Sequence, residues 1–141
     1  MIRIDDEDDP RIAAYRDIRE KDLVGRQGHF IAEGEVVLNV LARSRTCEAV
    51  SALIAEQRAE KLAPLLQTLG CPVYLAGQGV LDRVAGFHLH RGILALGRRK
   101  PAPGAADLLT GLPDKALVLA LHGIANHDNM GGLFRNAAAF G

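Results

Sequence analysis

Apolar positions along the chain alternate between helical and extended spacing, with glycine or proline at most of the changes. From Asp9 the pattern is helical: an acidic cap, Pro10 in the first turn, then Ile12, Tyr15, Ile18 and Arg19 at helix spacing. The polar stretch Arg26, Gln27 and Gly28 ends it. His29 to Ala32 is a short extended run, and Glu33-Gly34 turns the chain into a second helix whose apolar stripe is Val36, Val37, Val40 and Leu41. Cys47 to Ile54 reads as a strand and Glu56 to Leu69 as a helix with Leu62, Leu65, Leu66 and Leu69 inward, stopped by Gly70. Pro72 to Ala76 is again a strand, Gly79 to Val84 a short helix, Gly86 a turn, and Gly92 to Gly97 a buried strand.

Strands and helices alternating at this pitch predict a parallel or mixed sheet covered on both faces, a three-layer α/β sandwich over residues 1–97. Residues 98–115, RRKPAPGAADLLTGLPDK, carry the proline and glycine content of a linker, with room for a short helix around Ala105 to Thr110. Residues 116–141 open with ALVLAL, a continuous apolar run expected of a strand buried on both faces. The loop HGIANHDNMGG and the helical LFRNAAAF follow. One strand and one helix cannot cover such a strand, so this stretch is expected to be the first βα unit of a larger domain.

Composition narrows the class without naming a function. The 141 residues are 48% hydrophobic and 24% charged, as in a globular protein that needs no disulfide framework. Cys47 and Cys71 follow no CxxC spacing and are expected to be small buried hydrophobes in a reducing compartment. No apolar run reaches the ~18 residues of a membrane span, and the acidic start differs from a secretory signal, so a cytoplasmic protein is expected. Formal net charge is zero, yet Asp5, Asp6, Glu7, Asp8 and Asp9 sit together. Without residues 1–9 the chain has 16 basic and 12 acidic residues, a mildly basic body beside what reads as a solvated acidic leader.

Two places could carry chemistry. The segment from Asn126 to Gly132 lies between a predicted buried strand and a helix N-terminus, the edge of an α/β sheet where anions collect. Arg135, one turn into that helix, could grip a phosphate, with Asn129 placed to bond either the arginine or the ligand. The plainer reading is that Asn129 and Gly131 shape a turn and Arg135 is a surface residue. In the first domain Arg26, Arg91, Arg98, Arg99 and Lys100 are candidates for contacts to a phosphate-bearing partner, or else solvated surface charges. His88 and His90 share a strand face, but no further ligands fall at metal-site spacing, so no metal is expected.

The stretch LVLALHGIANHDNMGGLFRNAAAFG resembles the first motif of the SpoU (TrmH-type) RNA 2'-O-ribose methyltransferases, matching at Asn129, Gly131, Arg135, Ala137 and Phe140-Gly141. Asn126-His127 stands where many members carry Asp-Pro. Upstream, HFIAEGEVVLNVLARS resembles the opening of that family's RNA substrate-binding domain and AGFHLHRGILALGRR its close. The resemblance implies an RNA-binding sandwich followed by the start of a knotted SPOUT methyltransferase domain. It also implies methyl transfer from S-adenosylmethionine to a ribose 2'-hydroxyl of structured tRNA or rRNA, by a homodimer when complete. In the family the arginine matching Arg135 is held to activate the hydroxyl. A guanidinium is a poor base, so orienting the hydroxyl and neutralising the adjacent phosphate suit it better, with Asn129 supporting that geometry. The family's second and third motifs, which hold the methyl donor, are not in these residues, so no cofactor-binding residue is expected here and the stretch alone should be inactive. A noncatalytic RNA-binding or ribosome-associated module is the alternative.

Overall fold

In a computed structural model the described residues are 1–16, 28–124 and 126–140. Arg26, Ile18 and Arg19 fall outside them. The chain divides into two compact units, Met1–Ala102 and Pro103–Gly141.

The first unit is built on one five-stranded mixed sheet. Its strands are β1 (Ile2–Ile4), β2 (His29–Glu33), β3 (Cys47–Ala55), β4 (Val73–Ala76) and β5 (Ile93–Arg99), in the spatial order β1-β4-β3-β5-β2. β1, β4 and β3 run parallel, whereas β5 is antiparallel to both β3 and β2. Three helices complete the layers: α1 (Glu35–Ala42), α2 (Glu56–Thr68) and α3 (Gln78–Ala85).

Alternation along the central strands sorts the core into two faces. Leu53, Ala55, Leu94 and Leu96 point to one side and pack with Ile4, Ile12, Tyr15, Tyr74 and the α3 residues Val80, Leu81 and Val84. Ala52, Ile54, Ile93 and Ala95 point to the other, against Leu38 and Leu41 of α1 and Leu62 and Leu66 of α2. The three-layer α/β sandwich is therefore as the periodicity predicts.

Four local expectations change. The acidic leader is part of the fold: Ile4 is buried, β1 pairs with β4, Glu7 forms an ion pair with Arg83, and Asp9 accepts from the Arg11 backbone N–H at 2.9 Å. A three-residue strand with one buried side chain leaves no periodic signal. The helix that Asp9 caps is a 3-10 segment over Pro10–Tyr15. In α1 the buried residues are Leu38 and Leu41, while Val36, Val37 and Val40 are 78%, 44% and 66% exposed. An eight-residue helix apolar nearly all round gives periodicity nothing to choose between, and turning the leucines inward removes more apolar area from water. Cys47 and Cys71 are half-buried free thiols, and burial pushes the Cys71 thiol pKa up.

Tyr15 anchors the 3-10 segment on the sheet. Its Oη shares a 2.7 Å hydrogen bond with Ser51 Oγ and accepts the Leu96 backbone N–H at 3.2 Å. Ser51 and Leu96 face each other next to the register shift that separates Ala49 from Ser51, so the phenol supplies polar partners where the ladder is irregular.

The second unit holds α4 (Ala105–Thr110) and α5 (His127–Phe140). No strand forms over 116–121, and Leu117, Val118 and Leu119 are exposed. An all-apolar strand needs neighbours on both edges and cover on both faces, and the described residues of this unit form no other strand.

Gly92 is a left-handed position at which a side chain would also collide with the neighbouring strand. It has φ +60, and a Cβ there would lie 2.7 Å from Ala55 Cβ. Gly92→Ala should therefore cost about 2–4 kcal/mol of unfolding free energy, combining left-handed strain with overpacking. Gly70→Ala, at φ +65 with open space around it, should cost only about 1–2 kcal/mol. Urea unfolding of the two variants checks the difference.

Candidate functional site

Antiparallel pairing of β5 with β2 and β3 places the end of one strand beside the starts of two others. Arg98 faces His29 and Glu48, Arg99 faces Cys47, and the Lys100 N–H donates to the Thr46 carbonyl at 2.9 Å. Arg98 and Arg99 thus belong to a strand and not to the linker. This end of the sheet also receives Arg43, which caps α1, and Arg45 in the turn before β3. Neither arginine was singled out by the sequence reading; the signal available was RSR directly after a helix.

The run of three cations is not one patch. Neighbouring strand residues point to opposite faces, and Arg98 is committed to Glu48 through a 2.9 Å Nε–Oε1 bond and a second, shorter contact. That partnership holds the Glu48 carboxyl below its usual range. Arg99 and Lys100 remain exposed, without an ion pair among the described residues.

Arg91 is at the other end of β5, just before Gly92 and Ile93. The six steps of β5 from Ile93 to Arg99, at ~3.3 Å each, put about 20 Å between its two ends. The four described residues of the group that sequence marks as RNA contacts, Arg91, Arg98, Arg99 and Lys100, therefore do not converge, and Arg26 lies outside the described residues. Arg91 lies over Gly34, whose φ is +89; a Cβ on Gly34 would lie 3.0 Å from Arg91 Nη1 and 3.1 Å from Cδ. Next to it, a cavity of about 250 Å³ is lined by Glu35, Val36, Arg58, Arg91 and Ile93.

No group of three or more His, Cys, Asp or Glu side chains gathers around His88 and His90 or elsewhere among the described residues. Instead His88 Nδ1 donates to Asp82 Oδ2 at 2.6 Å, and the two imidazoles meet edge to face with centroids 4.4 Å apart. Asp82 also accepts the Leu89 N–H at 2.9 Å and the Gln78 amide at 2.7 Å. The His88 bond, then the Leu89 N–H and the Gln78 amide, bring its carboxyl pKa down to about 2. Asp82 thus fixes the turn that precedes Arg91.

In the second unit the expected loop is largely helix. α5 begins at His127, and the Asn126 side chain accepts the N–H groups of Asp128 and Asn129 at 2.8 and 3.2 Å, as an N-cap does. Asn129 to Gly132 consequently stand in the first turns of the helix. The Arg135 side chain folds back over Gly131, where a Cβ would meet its Nη1 at 3.3 Å. The four-residue interval between glycine and arginine thus has a steric reason: it opens a channel for the guanidinium toward the helix N-terminus.

Asn129 occupies a different face. With Ile124, Asp128, Gly132, Leu133 and Asn136 it lines an open cleft of about 440 Å³, and it makes no hydrogen bond to Arg135. Six residues at 100° each place the two side chains about 120° apart around the helix. The direct Asn129–Arg135 contact considered from sequence is absent.

No family model matches the chain. It is 38% identical over 137 residues to an uncharacterized tRNA/rRNA methyltransferase of Mycobacterium bovis, covering 94% of this chain and 46% of that protein. A 23S rRNA (guanosine-2'-O-)-methyltransferase of Acinetobacter baylyi is 35% identical over 88 residues, 61% of this chain and 36% of that protein. The crystal structure of an rRNA methyltransferase from Sinorhizobium meliloti, also solved with AdoMet bound, superposes with a TM-score of 0.52 at 15% identity. It covers 72% of this chain and 38% of that one, and bears out the α/β fold. The chain thus spans about half the length, or less, of the curated relatives it matches.

The depressed Asp82 carboxyl has a signed consequence. Its contribution to stability is complete above the unfolded-state carboxylate pKa near 4 and is lost as pH falls toward 2. In Asp82→Asn this acid-side loss should disappear from the pH dependence of the thermal midpoint between pH 5 and pH 2, on top of a lower midpoint at neutral pH.

Proposed function

From its similarity to tRNA/rRNA methyltransferases over 94% of its length, which agrees with the SpoU-type resemblance of its motifs, we propose that this chain supplies two things to such an enzyme. They are the RNA-binding module and the opening segment of the methyl-transfer domain. The whole protein would transfer a methyl group from S-adenosylmethionine to a ribose 2'-hydroxyl of structured rRNA or tRNA in the cytoplasm, acting as a homodimer through its complete methyl-donor domain. The observation that carries the reading is the placement of Arg135 over Gly131 at the start of α5, beside the Asn126 cap.

Each residue then has a limited role. Arg135, held toward the positive end of α5, orients the 2'-hydroxyl and neutralises a neighbouring phosphate, and both effects gain strength as the site closes around substrate. Asn129 lines the adjacent cleft and can hydrogen-bond the nucleotide there. It cannot do so through Arg135 in this arrangement. The Asn129 cleft is open and bounded by one helix and the segment before it. In the first unit, Arg99 and Lys100, joined by Arg43 and Arg45, form the cationic end that meets RNA phosphate, and Arg98 serves mainly to hold Glu48.

In the protein at the length of its relatives, Arg135→Ala should reduce methyl transfer to rRNA at least tenfold while RNA affinity stays within a few-fold. Retention of more than a tenth of the activity would remove Arg135 from the reaction. Replacing Arg99 and Lys100 together by alanine should flatten the salt dependence of RNA binding by up to about two phosphate contacts. Arg98→Ala alone should leave the slope nearly unchanged, because its charge is already met by Glu48. A large slope change from Arg98→Ala would show that RNA takes Arg98 from its intramolecular partner.

A further inference from the structure

We propose that the cavity between the starts of α1 and α2 is a second RNA contact, a site for one backbone phosphodiester held by Arg58 and Arg91. It rests on the RNA-binding reading of this unit and adds a place and a chemistry to it. Arg58 lies on the first turns of α2 and Arg91 on the turn before β5, so two guanidiniums from separate elements reach one cavity. Neither has an ion-pair partner among the described residues, whereas the one carboxylate in the lining, Glu35, is occupied by Lys61 at 3.1 Å. The net result is an acid-neutralised recess with two uncommitted cations.

Gly34 explains why this recess exists. Its missing Cβ is what allows the Arg91 stem to lie against the backbone at the start of α1, and that helix has no side-chain cap to compete for an incoming oxygen. Val36 and Ile93 supply an apolar wall, suited to the face of a ribose beside the phosphate. At about 250 Å³ the cavity falls below the ~300–1,000 Å³ of sites that enclose a whole small ligand. A single group of a longer polymer fits that size. The recess also lies beside the carboxyl ends of β2 and β3, the edge at which open α/β sheets hold ligands. Because it is about 20 Å from the Arg99 end along β5, one RNA would have to span the unit to reach both sites.

The test uses the salt dependence of binding to a fluorescein-labelled mixed-sequence RNA hairpin, with the chain carrying Arg58→Gln and Arg91→Gln together. Both side chains are exposed, so folding should be retained, which a circular-dichroism melt checks. The expected result is a loss of roughly 0.7 to 0.9 in the slope of log K against log salt, one phosphate's worth. When combined with the Arg99 and Lys100 substitutions the losses should add, as for sites well beyond ~10 Å apart. Arg91→Lys, which keeps the charge, should restore most of the slope. An unchanged slope in the double glutamine variant, with wild-type binding salt-dependent and the Arg99/Lys100 variant weakened, overturns this site and leaves the RNA-binding reading standing. Wild-type binding that is absent or insensitive to salt overturns both.

Discussion

The pairing of β3 with β5 is the interaction on which the rest of the first unit depends. These strands occupy the middle of the sheet and are buried along most of their lengths, so their alternation fixes which side chains enter each of the two cores. Their register also decides what meets at the ends. Ile54 opposite Ile93 brings Gly92 against Ala55, and Cys47 opposite Arg99 brings the cations after β5 beside the turn before β3. A slip of one residue would turn Leu53 and Leu94 out of their core and would scatter both cationic ends. At the one irregularity in this pairing Tyr15 is hydrogen-bonded to Ser51 and Leu96, which couples the N-terminal segment to the centre of the sheet.

An antiparallel strand in an otherwise parallel arrangement has a consequence for charge. β2, β3 and β4 deliver their carboxyl ends, and the starts of the helices, to one edge of the sheet, and β5 begins at that edge and ends at the other. Arg91 and Arg99, eight residues apart, are thereby sent to opposite ends of the unit. The mildly basic character of the body is divided between two locations, each built from several segments. Acidic residues near both are largely engaged, Glu48 by Arg98 and Glu35 by Lys61.

In the second unit a small set of local interactions does the organising. The Asn126 cap starts α5 well before the apolar stretch suggests, and Gly131 leaves room for the Arg135 side chain to reach back along the helix. The residues of the methyltransferase-like motif are thus displayed on a helix, with Asn129 and Arg135 on separate faces. Gly131 serves as the space beneath a guanidinium, a role that the same spacing in a loop would not explain.

Much of this was legible in the amino-acid sequence, because it follows from local rules. Extended apolar runs at 47–54 and 92–97, helical leucine spacing at 62–69, the stop at Gly70 and the turn at Gly86 determined the sandwich, and the Asn129, Gly131, Arg135 spacing pointed to the chemistry. What only the tertiary structure decided are matters of direction and neighbourhood. The short β1 needed β4 to exist as a strand. The eight residues of α1 needed the sheet beneath them to select Leu38 and Leu41 over three valines. The apolar run at 116–121 had the composition of a buried strand, yet no partner strand in its own unit pairs with it. Above all, the arginines that sequence grouped together were separated by the orientation of β5, since hydrogen-bond pairing between distant segments, and not proximity along the chain, determines which charges share a surface.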